Sequence, residues 1–437
     1  MSRRLAQRKT ERKNLQGEET RTRILEKTMR LVAVHGYSGT SLSMVRRTCN
    51  VSASSIYWHY SGKDELVAAA LEHAYRSQAQ RLPNWLDTPP SSSRAHDLYS
   101  QLMHSPNGEG EMGYWRVGLQ LALTKPEEPI PARDRFLQIR AEAIEWTADW
   151  WERTLPENMP QRRDAARMMG NFTVAERESS FLKLRGPRTT DTARLTRMIA
   201  AALDTVAEQL PVLAETHDLT PSTPTPPQMA VLVSAEDAES GREALLRAAQ
   251  EVIGQSGYDG VSISKVCERA GLPASSLYWS FQDKDELLST VISNACAGWK
   301  QLREKEFALP PGEHWAEQIR SFILPSLKGS EHGQSAVPMS LLLLLQRAEH
   351  VHAGRSELEG VLQETFEATV EWFAALLGSA AGPQRRHAQD VAICLFRMLD
   401  GMLIGRRVDD QFYDPQLLAT LISNAIVQIA QRDAQAA

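Results

Sequence analysis

The sequence has few of the residues that build disulfide frameworks, metal sites or membrane spans. It contains 4 cysteines among 437 residues, and they are scattered without the spacing of metal ligands. We expect them to be reduced, buried thiols. No stretch approaches the roughly twenty apolar residues that a membrane-spanning helix needs, and the basic N-terminus lacks the apolar segment of a signal peptide. The composition therefore indicates a cytoplasmic protein with no cofactor and no membrane partner.

Motifs of common enzyme classes are missing as well. The sequence has no Gly-rich phosphate loop and no nucleophile elbow around a serine. His350, His352 and the Glu331-His332 pair lack the i, i+4 spacing with a carboxylate that metal hydrolysis favours. We expect these histidines to lie on the surface and the protein not to be an enzyme.

What the sequence does contain is an internal repeat with a constant offset of 221 residues. Gly36-Tyr37 recurs as Gly257-Tyr258, and the run Ala-Ser-Ser-Ile-Tyr-Trp from residue 53 returns as Ala-Ser-Ser-Leu-Tyr-Trp from residue 274. Lys-Asp-Glu-Leu follows in both, from residues 63 and 284. Neither copy has gained or lost a residue over about forty-five positions, so the chain contains a duplicated unit.

Each copy of the repeat is predicted to form three short helices before a longer one. In the first copy, apolar residues from 24 to 34 fall at helical spacing, and Gly36 ends that helix. Thr40 or Ser41 can cap a second helix, which ends near Asn50 because asparagine tolerates the left-handed conformation. Ser52 caps a third, very short helix through residue 58. A short polar helix held by two others is suited to insertion into a DNA groove.

This arrangement resembles the DNA-binding domain of the TetR (tetracycline repressor) family of transcription factors, and the resemblance holds for both copies. It implies an all-α protein of two tandem TetR-like units. Each unit has an N-terminal helix-turn-helix domain of three helices, followed by a helical regulatory and dimerisation domain. It also implies a double-stranded DNA operator as partner.

The resemblance further implies which residues approach DNA. Residues 40 and 43 would approach phosphates, residues 52 to 55 would meet base edges, and residues 57, 59 and 63 would clamp the backbone. The predicted DNA-binding residues are Thr40, Ser41, Ser43, Ser52, Ala53, Ser54, Ser55, Tyr57, Trp58, His59 and Lys63 in the first copy, and Ser262, Ser264, Pro273, Ala274, Ser275, Ser276, Tyr278, Trp279 and Lys284 in the second. For the two tryptophans, the alternative is burial in the core of each domain.

Charge distinguishes the two copies. Residues 1 to 70 contain 13 Lys/Arg and 6 Asp/Glu, a balance of +7, whereas residues 236 to 290 contain 5 and 10, a balance of −5. Because phosphate neutralisation supplies much of the affinity for DNA, the first copy should bind more strongly. The acidic second copy either reads a related but unequal half-site or serves only for packing. The basic tail, residues 1 to 17, either reaches an adjacent groove or is a disordered solubilising segment.

The duplication extends beyond these segments and divides the chain. Pro-Gln-Arg-Arg occurs at residues 160 and 383, and Glu-Trp occurs at 145 and 371. The predicted domains are a tail (1–17), a first helix-turn-helix domain (18–70), a first regulatory domain (71–210), a Pro-rich linker (211–235), a second helix-turn-helix domain (236–290) and a second regulatory and dimerisation domain (291–437). The linker is long enough that we expect it not to dictate how the two halves dock.

In the TetR family the last two long helices of each protomer build a four-helix dimer interface. We predict the matching pairs at about 134–155 with 162–184, and at about 358–377 with 391–403. The second helix of the first pair is more polar than its counterpart, at Glu176, Arg177, Glu178, Ser179 and Ser180. One hypothesis is a pseudo-dimer within one chain, which holds two reading heads about one DNA turn apart. The alternatives are a homodimer with four heads and an interaction scaffold that no longer binds DNA.

Regulators of this kind usually respond to a small molecule held in the helical body. The composition of the apolar segments suggests a lipophilic or planar effector, with plain core packing as the alternative for each residue. The candidate lining residues are Met103, Met112, Trp115, Leu119, Trp146 and Trp150 in the first half, and Trp299, Trp315, Phe322, Met339, Leu343 and Trp372 in the second.

Overall fold

A computed structural model describes most of the chain. It covers residues 2–79, 91, 93–104, 113–124, 129–182, 191–223, 241–256, 260–307, 314–328, 337–345, 354–378, 382–409 and 411–434. Over these residues the structure is helical, and its β-structure is an isolated antiparallel bridge between Ser222 and Phe412. The all-α prediction is therefore confirmed for the part of the chain that the structure describes.

The helices follow one another in the same order in the two halves. The first half contains α1 (Ser2–Gly39), α2 (Leu42–Cys49), α3 (Ala53–Tyr57), α4 (Lys63–Ala79), α5 (Arg94–His104), α6 (Gly113–Leu123), α7 (Pro131–Thr154), α8 (Arg162–Ser179) and α9 (Thr192–Leu213). The second half contains α10 (Gly241–Ser256), α11 (Ile263–Ala270), α12 (Ala274–Ser280), α13 (Lys284–Phe307), α14 (Trp315–Lys328), α15 (Val337–Leu345), α16 (Arg355–Leu376), α17 (Gly382–Val408) and α18 (Pro415–Ala434). Helix α1 is interrupted at Gly36, where φ is 71°, as its sequence predicted.

The chain folds into two compact units that do not coincide with the two halves. The first unit is Met1–Leu82 with Pro106–Ala141, and the second is Pro83–Ser105 with Glu142–Ala437. We call the two helix-turn-helix domains, residues 18–70 and 236–290, the first and second heads. Helix α6 and the start of α7 thus belong with the first head, although residues 71 to 210 were predicted as one separate domain. The reason lies in the packing, because α6 rests on α1 and α4.

Close packing between α6 and α7 shapes the core of the first unit. The ring of Phe136 lies directly over Gly118, where an added Cβ would come within 1.9 Å of the ring. Trp115 meets the same ring edge-on, with centroids 5.4 Å apart. Trp115 and Leu119 are both buried here, so the structure places these two candidate lining residues in the core of the unit.

The second unit is built around four helices, two from each half. Helix α8 packs on α17 and α9 packs on α18, with further contacts of α8 on α9 and of α17 on α18. The predicted pairs were therefore wrong by one helix in each half, because α7 and α16 were taken as members in place of α9 and α18. Helix α9 buries Leu203 and Val206 and α18 buries Leu421 and Ile422, which supplies the apolar surface for this pairing.

The crossing of α8 and α17 is especially close. A Cβ added at Gly401 would lie 2.2 Å from the carbonyl oxygen of Ala175, so only glycine permits this approach of the two backbones. Next to it, Arg397 Nη2 lies 2.6 Å from Oε1 of Glu176, whose side chain is almost fully buried. Of the five polar residues that set this helix apart in the sequence, Glu176, Glu178 and Ser179 are buried, Arg177 is half-buried and Ser180 is exposed.

The beginning of the predicted linker is ordered and docked. Pro211 lies inside α9, and Leu219 is completely buried. The side chain of Gln161 donates to the carbonyls of Ala214 and His217 at 2.9 and 2.8 Å. Ser222 and Phe412 exchange two backbone hydrogen bonds of 3.0 Å each, which fastens this segment to the loop between α17 and α18. The expectation of an unconstrained linker from residue 211 is therefore wrong up to residue 223.

The four cysteines are free thiols and all of them are buried, as the sequence predicted. Cys394 lies in α17, and burial raises the pKa of its thiol well above its ordinary value.

Candidate nucleic-acid interface

The first head is assembled from side-chain caps and a left-handed turn. Ser41 Oγ accepts from the amide of Met44 at 3.3 Å at the start of α2, and Ser52 Oγ accepts from the amide of Ser55 at 3.1 Å at the start of α3. Between the two helices, Asn50 takes a φ of 51° and its amide bonds back to the last turn of α2. The predicted helix-turn-helix and both of its caps are confirmed.

The second head repeats this construction with two differences. Ser262 caps α11 by accepting from the amide of Lys265 at 3.3 Å, and Gly271 takes the place of Asn50 with a φ of 67°. Pro273 stands where Ser52 does and provides no side-chain cap for α12. We call the third helix of each head, α3 or α12, its reading helix. Because a serine cap is worth about 1 kcal/mol, α12 depends more than α3 on the packing of its buried residue, Leu277.

The reading helices project two large aromatic side chains into solvent. Tyr57 and Trp58 are 58% and 82% exposed, and their counterparts Tyr278 and Trp279 are 60% and 90% exposed. The alternative that both tryptophans are buried in the core of their domains is therefore wrong. Each helix is so short that it turns a single large apolar residue inward, Ile56 or Leu277.

Three hydroxyl groups around the start of α2 differ in their availability. Thr40 is buried, and its hydroxyl donates to the carbonyl of Gly36 at 2.8 Å. This corrects the expectation that its side chain approaches phosphate, and its buried counterpart Val261 has no hydroxyl at all. Ser43 is exposed, with its Oγ 2.8 Å from that of Ser41. Ser41 and Ser43 thus keep an exposed position at the surface of the head.

The two lysines predicted to clamp the DNA backbone are part of the internal structure of each head. Lys63 Nζ donates to the carbonyl of Tyr37 at 3.0 Å and lies 4.1 Å from the centroid of its ring. Desolvation lowers the pKa of Lys63, while the charge of Asp64 opposes that shift. Lys284 Nζ donates to the carbonyl of Val261 at 2.9 Å. Both ammonium groups therefore tie the long fourth helix of the head to the turn before the second helix.

The remaining predicted contact residues lie on or beside α3 and α12, or at the start of α11. Ser52, Ala53 and Ser54 are exposed, as are Pro273, Ala274, Ser275 and Ser264 in the second head. Ser55, His59, Ser262 and Ser276 are half-buried. The imidazole of His59 packs edge-on against Trp58, with ring centroids 4.6 Å apart.

Sequence reasoning missed two exposed arginines in the last turn of α2. Arg46 and Arg47 are exposed, and at the positions 221 residues later stand Cys267, which is buried, and Glu268, which is exposed. The signal was available in the repeat, because these are positions at which the two copies differ in charge. They place the charge difference between the copies on the helix-turn-helix itself.

The other candidate effector residues differ in their burial. Trp150 is buried and meets Trp151 edge-on at 5.1 Å, and Leu343 is buried in α15. Met103, Trp146, Trp315, Phe322 and Trp372 are half-buried, and Phe322 meets Phe396 at 6.1 Å. Met112 and the side chains of Trp299 and Met339 lie outside the described residues.

Two classes of site are absent from the portion of the chain that the structure describes. Its histidines, cysteines and carboxylates form no group of three that could hold a metal ion. No helix within the same residues is long and apolar enough to cross a membrane.

Comparison with known proteins identifies the two heads. The family described as "Bacterial regulatory proteins, tetR family" matches residues 24–70 and 245–291, again 221 residues apart. The HTH-type transcriptional regulator SrpR of Pseudomonas putida is 34% identical over 56 residues, which are 13% of this chain and 26% of that protein. The tetracycline repressor protein class D of Escherichia coli is 29% identical over 85 residues, which are 19% of this chain and 37% of the repressor.

A third relative, the HTH-type transcriptional regulator AcrR of Shigella flexneri, is 35% identical over 57 residues, 13% of this chain and 26% of that protein. The matches thus span between about a quarter and two fifths of the length of these relatives. Two family matches, the constant offset and two capped helix-turn-helix structures agree with one another. The chain therefore carries two TetR-type DNA-binding heads in tandem, at residues 24–70 and 245–291.

Proposed function

We propose that this protein is a DNA-binding transcriptional regulator whose two heads read the two halves of one quasi-palindromic operator. The observation that carries the proposal is the packing of α8 and α9 from the first half against α17 and α18 from the second. In family members with one unit per chain, the last two helices of two chains form such an interface. Here one chain supplies all four helices.

Polar contacts between the halves support this pairing. Asn424 Nδ2 donates to Oε1 of Gln209 at 2.9 Å between α18 and α9. Arg194 Nε lies 2.8 Å from Oδ2 of Asp390, and Arg194 Nη2 lies 3.5 Å from Nδ1 of His387. Polar groups buried in an interface must find partners, so these contacts favour one specific arrangement of the two halves.

The heads are proposed to contribute unequally. Arg46 and Arg47 on α2 add positive charge to a first head that is already basic, while Glu268 adds negative charge to the second. Since each neutralised phosphate strengthens binding, the first head supplies more of the affinity and the second head adds specificity through a related half-site. Covalent linkage raises the effective concentration of the second head once the first is bound.

We further propose that the protein represses transcription and is released by a small lipophilic or planar effector. Tryptophan and methionine residues in the helical bodies support an apolar ligand. By linkage, such a ligand must bind the DNA-incompetent arrangement of the heads more tightly than the competent one.

Light scattering and sedimentation of the purified chain test the assembly, first alone and then with DNA selected from random sequence. A mass of 48.8 kDa for the free protein, and one chain per selected site, is the expected result. A stable dimer would overturn the single-chain arrangement and imply four heads. Failure to select any DNA sequence would instead favour an interaction scaffold.

A further inference from the structure

One position in the first helix of each head is held by an arginine from elsewhere in the chain. Arg116 Nη2 donates to the carbonyl of Ala33 in α1 at 3.0 Å, and Arg407 Nη2 donates to the carbonyl of Gly254 in α10 at 2.8 Å. Ala33 and Gly254 are 221 residues apart and therefore correspond in the repeat. In each head, an arginine therefore binds the corresponding carbonyl of the first helix.

Both carbonyls lie near the C-terminal end of their helix, where a carbonyl accepts an additional hydrogen bond most readily. Gly254 is in the last turn of α10, and Ala33 is in the last turn of α1 before the break at Gly36. The final carbonyls of a helix lack intrahelical donors and carry partial negative charge. A guanidinium group supplies both the missing donor and a positive charge. Hydrogen bonds from charged donors are also stronger than neutral ones.

The two arginines come from helices that do not correspond to each other. Arg116 lies on α6, whose counterpart by order in the second half is α15, and α15 contains no arginine. Arg407 lies on α17, the counterpart of α8. Helix α17 has 27 residues and α8 has 18. The Pro-Gln-Arg-Arg motif aligns Arg162 with Arg385, so three of the additional residues stand at the start of α17 and six at its end. Those six residues lengthen the C-terminal end by about 9 Å, and Arg407 stands in its last turn.

Helix α17 also carries the closest contact between the two halves. Arg397 and Gly401, which face Glu176 and Ala175 of α8, precede Arg407 by ten and six residues on one continuous helix. A helix transmits displacement along its length because its backbone is rigid. The same element therefore touches the first half near its middle and the second head near its end.

We propose that the extension of α17 fastens the second head to the surface where the halves pair, with Arg407 as the positioning residue. The placement of the second head then follows the packing of α8 on α17, whereas Arg116 holds the first head to its own α6. A change that shifts α8 against α17 is transmitted to the second head through Arg407. The consequence for DNA rests on the proposed function, but the mechanical coupling does not.

Hydrogen exchange of the full chain tests the coupling directly. In Arg407→Ala, amide exchange in the last two turns of α10 should accelerate by about tenfold, the effect of losing one charge-assisted bond. The corresponding turns of α1 should be unchanged. Arg407→Lys, which keeps the charge, should show a smaller acceleration. Equal changes in both heads, or none in α10, would overturn the proposal.

The neighbouring arginine provides the matched control. Arg406 donates to the carbonyl of Lys328 at 2.7 Å and lies 4.5 Å from the centroid of the Phe412 ring. Arg406→Ala removes the same charge from the same turn of α17 without removing the contact to α10. It should leave exchange in α10 at the wild-type rate, and acceleration as large as in Arg407→Ala would count against a specific role for Arg407.

Binding to the selected operator gives a second readout. To find the half-site that the second head reads, each half-site is scrambled in turn. It is the half-site whose scrambling leaves Trp279→Ala with no further effect on binding. Arg407→Ala should weaken binding to the intact operator and have no further effect once that half-site is scrambled. Loss on the other half-site instead would contradict the proposal. If the wild-type chain binds no DNA, the proposed function fails, while the exchange experiment still decides the coupling.

Discussion

Arg397 Nη2 lies 2.6 Å from Oε1 of Glu176, and this pair joins α17 of the second half to α8 of the first. The glutamate side chain is 4% exposed and that of the arginine 24% exposed. A carboxylate in such a position is costly without a partner, because desolvation is not compensated. The pair therefore makes the packing of the two halves sensitive to a single residue.

We expect Arg397→Ala to destabilise the protein by about 2–4 kcal/mol, since it leaves the carboxylate of Glu176 buried without this partner. Urea unfolding of the full chain measures the effect. Adding Glu176→Gln to Arg397→Ala should restore most of the loss. The control is Arg385→Ala, which breaks a more exposed pair with Glu371 and should cost no more than about 1 kcal/mol. Equal losses in the two single variants would show that the buried pair has no special role.

Gly401→Ala is expected to separate α8 from α17. The new methyl group would meet the carbonyl of Ala175 at 2.2 Å, a distance that requires the helices to move apart. Overpacking of this kind costs about 1–3 kcal/mol, and thermal unfolding should show a lower midpoint. Gly360→Ala is the matched control, because a Cβ added at Gly360 in α16 would meet no other part of the structure within 4 Å. That variant should be neutral or more stable, since alanine is the better helix former, and a similar loss in both variants would rule out the crossing as the cause.

Removing the exposed aromatic residues should separate the contributions of the two heads. Tyr57→Ala with Trp58→Ala should abolish specific DNA binding, whereas Tyr278→Ala with Trp279→Ala should weaken it less. All four side chains are more than half exposed, so neither double variant should unfold its head. Fluorescence anisotropy with the selected operator measures the affinities. Equal losses would refute the argument from charge, and no loss from the second pair would identify the second head as a packing module.

The salt dependence of DNA binding should show whether Arg46 and Arg47 of α2 contact phosphates. Arg46→Ala with Arg47→Ala is expected to reduce the slope of log K against log salt by about 2, provided each neutralises one phosphate. Glu268→Arg provides the reverse change, because it places in the second head the charge that Arg47 provides in the first. It should tighten binding and steepen the slope. An unchanged slope in both variants would remove α2 and α11 from the phosphate contacts.

Local sequence signals were sufficient for the reading heads. Ser41 and Ser52 cap helices, and Asn50 adopts the left-handed conformation. These properties can be predicted because they depend on the residue and its immediate neighbours. The exposure of Trp58 and Trp279 could not be predicted in the same way. It depends on which face of a very short helix turns inward, and an aromatic residue at helical spacing looks the same in either case.

The amino-acid sequence by itself determined that two TetR-type heads occur in one helical chain, because a repeat with a fixed offset and its capping residues need no long-range contact to be recognised. The tertiary structure decided which helices join the two halves, that Glu176 is buried against Arg397, and that the second head is held by Arg407 while the first is held by Arg116. These contacts link residues separated by between 83 and 221 positions. Partners that distant are chosen by the packing of whole helices, and no pattern within one helix records that choice.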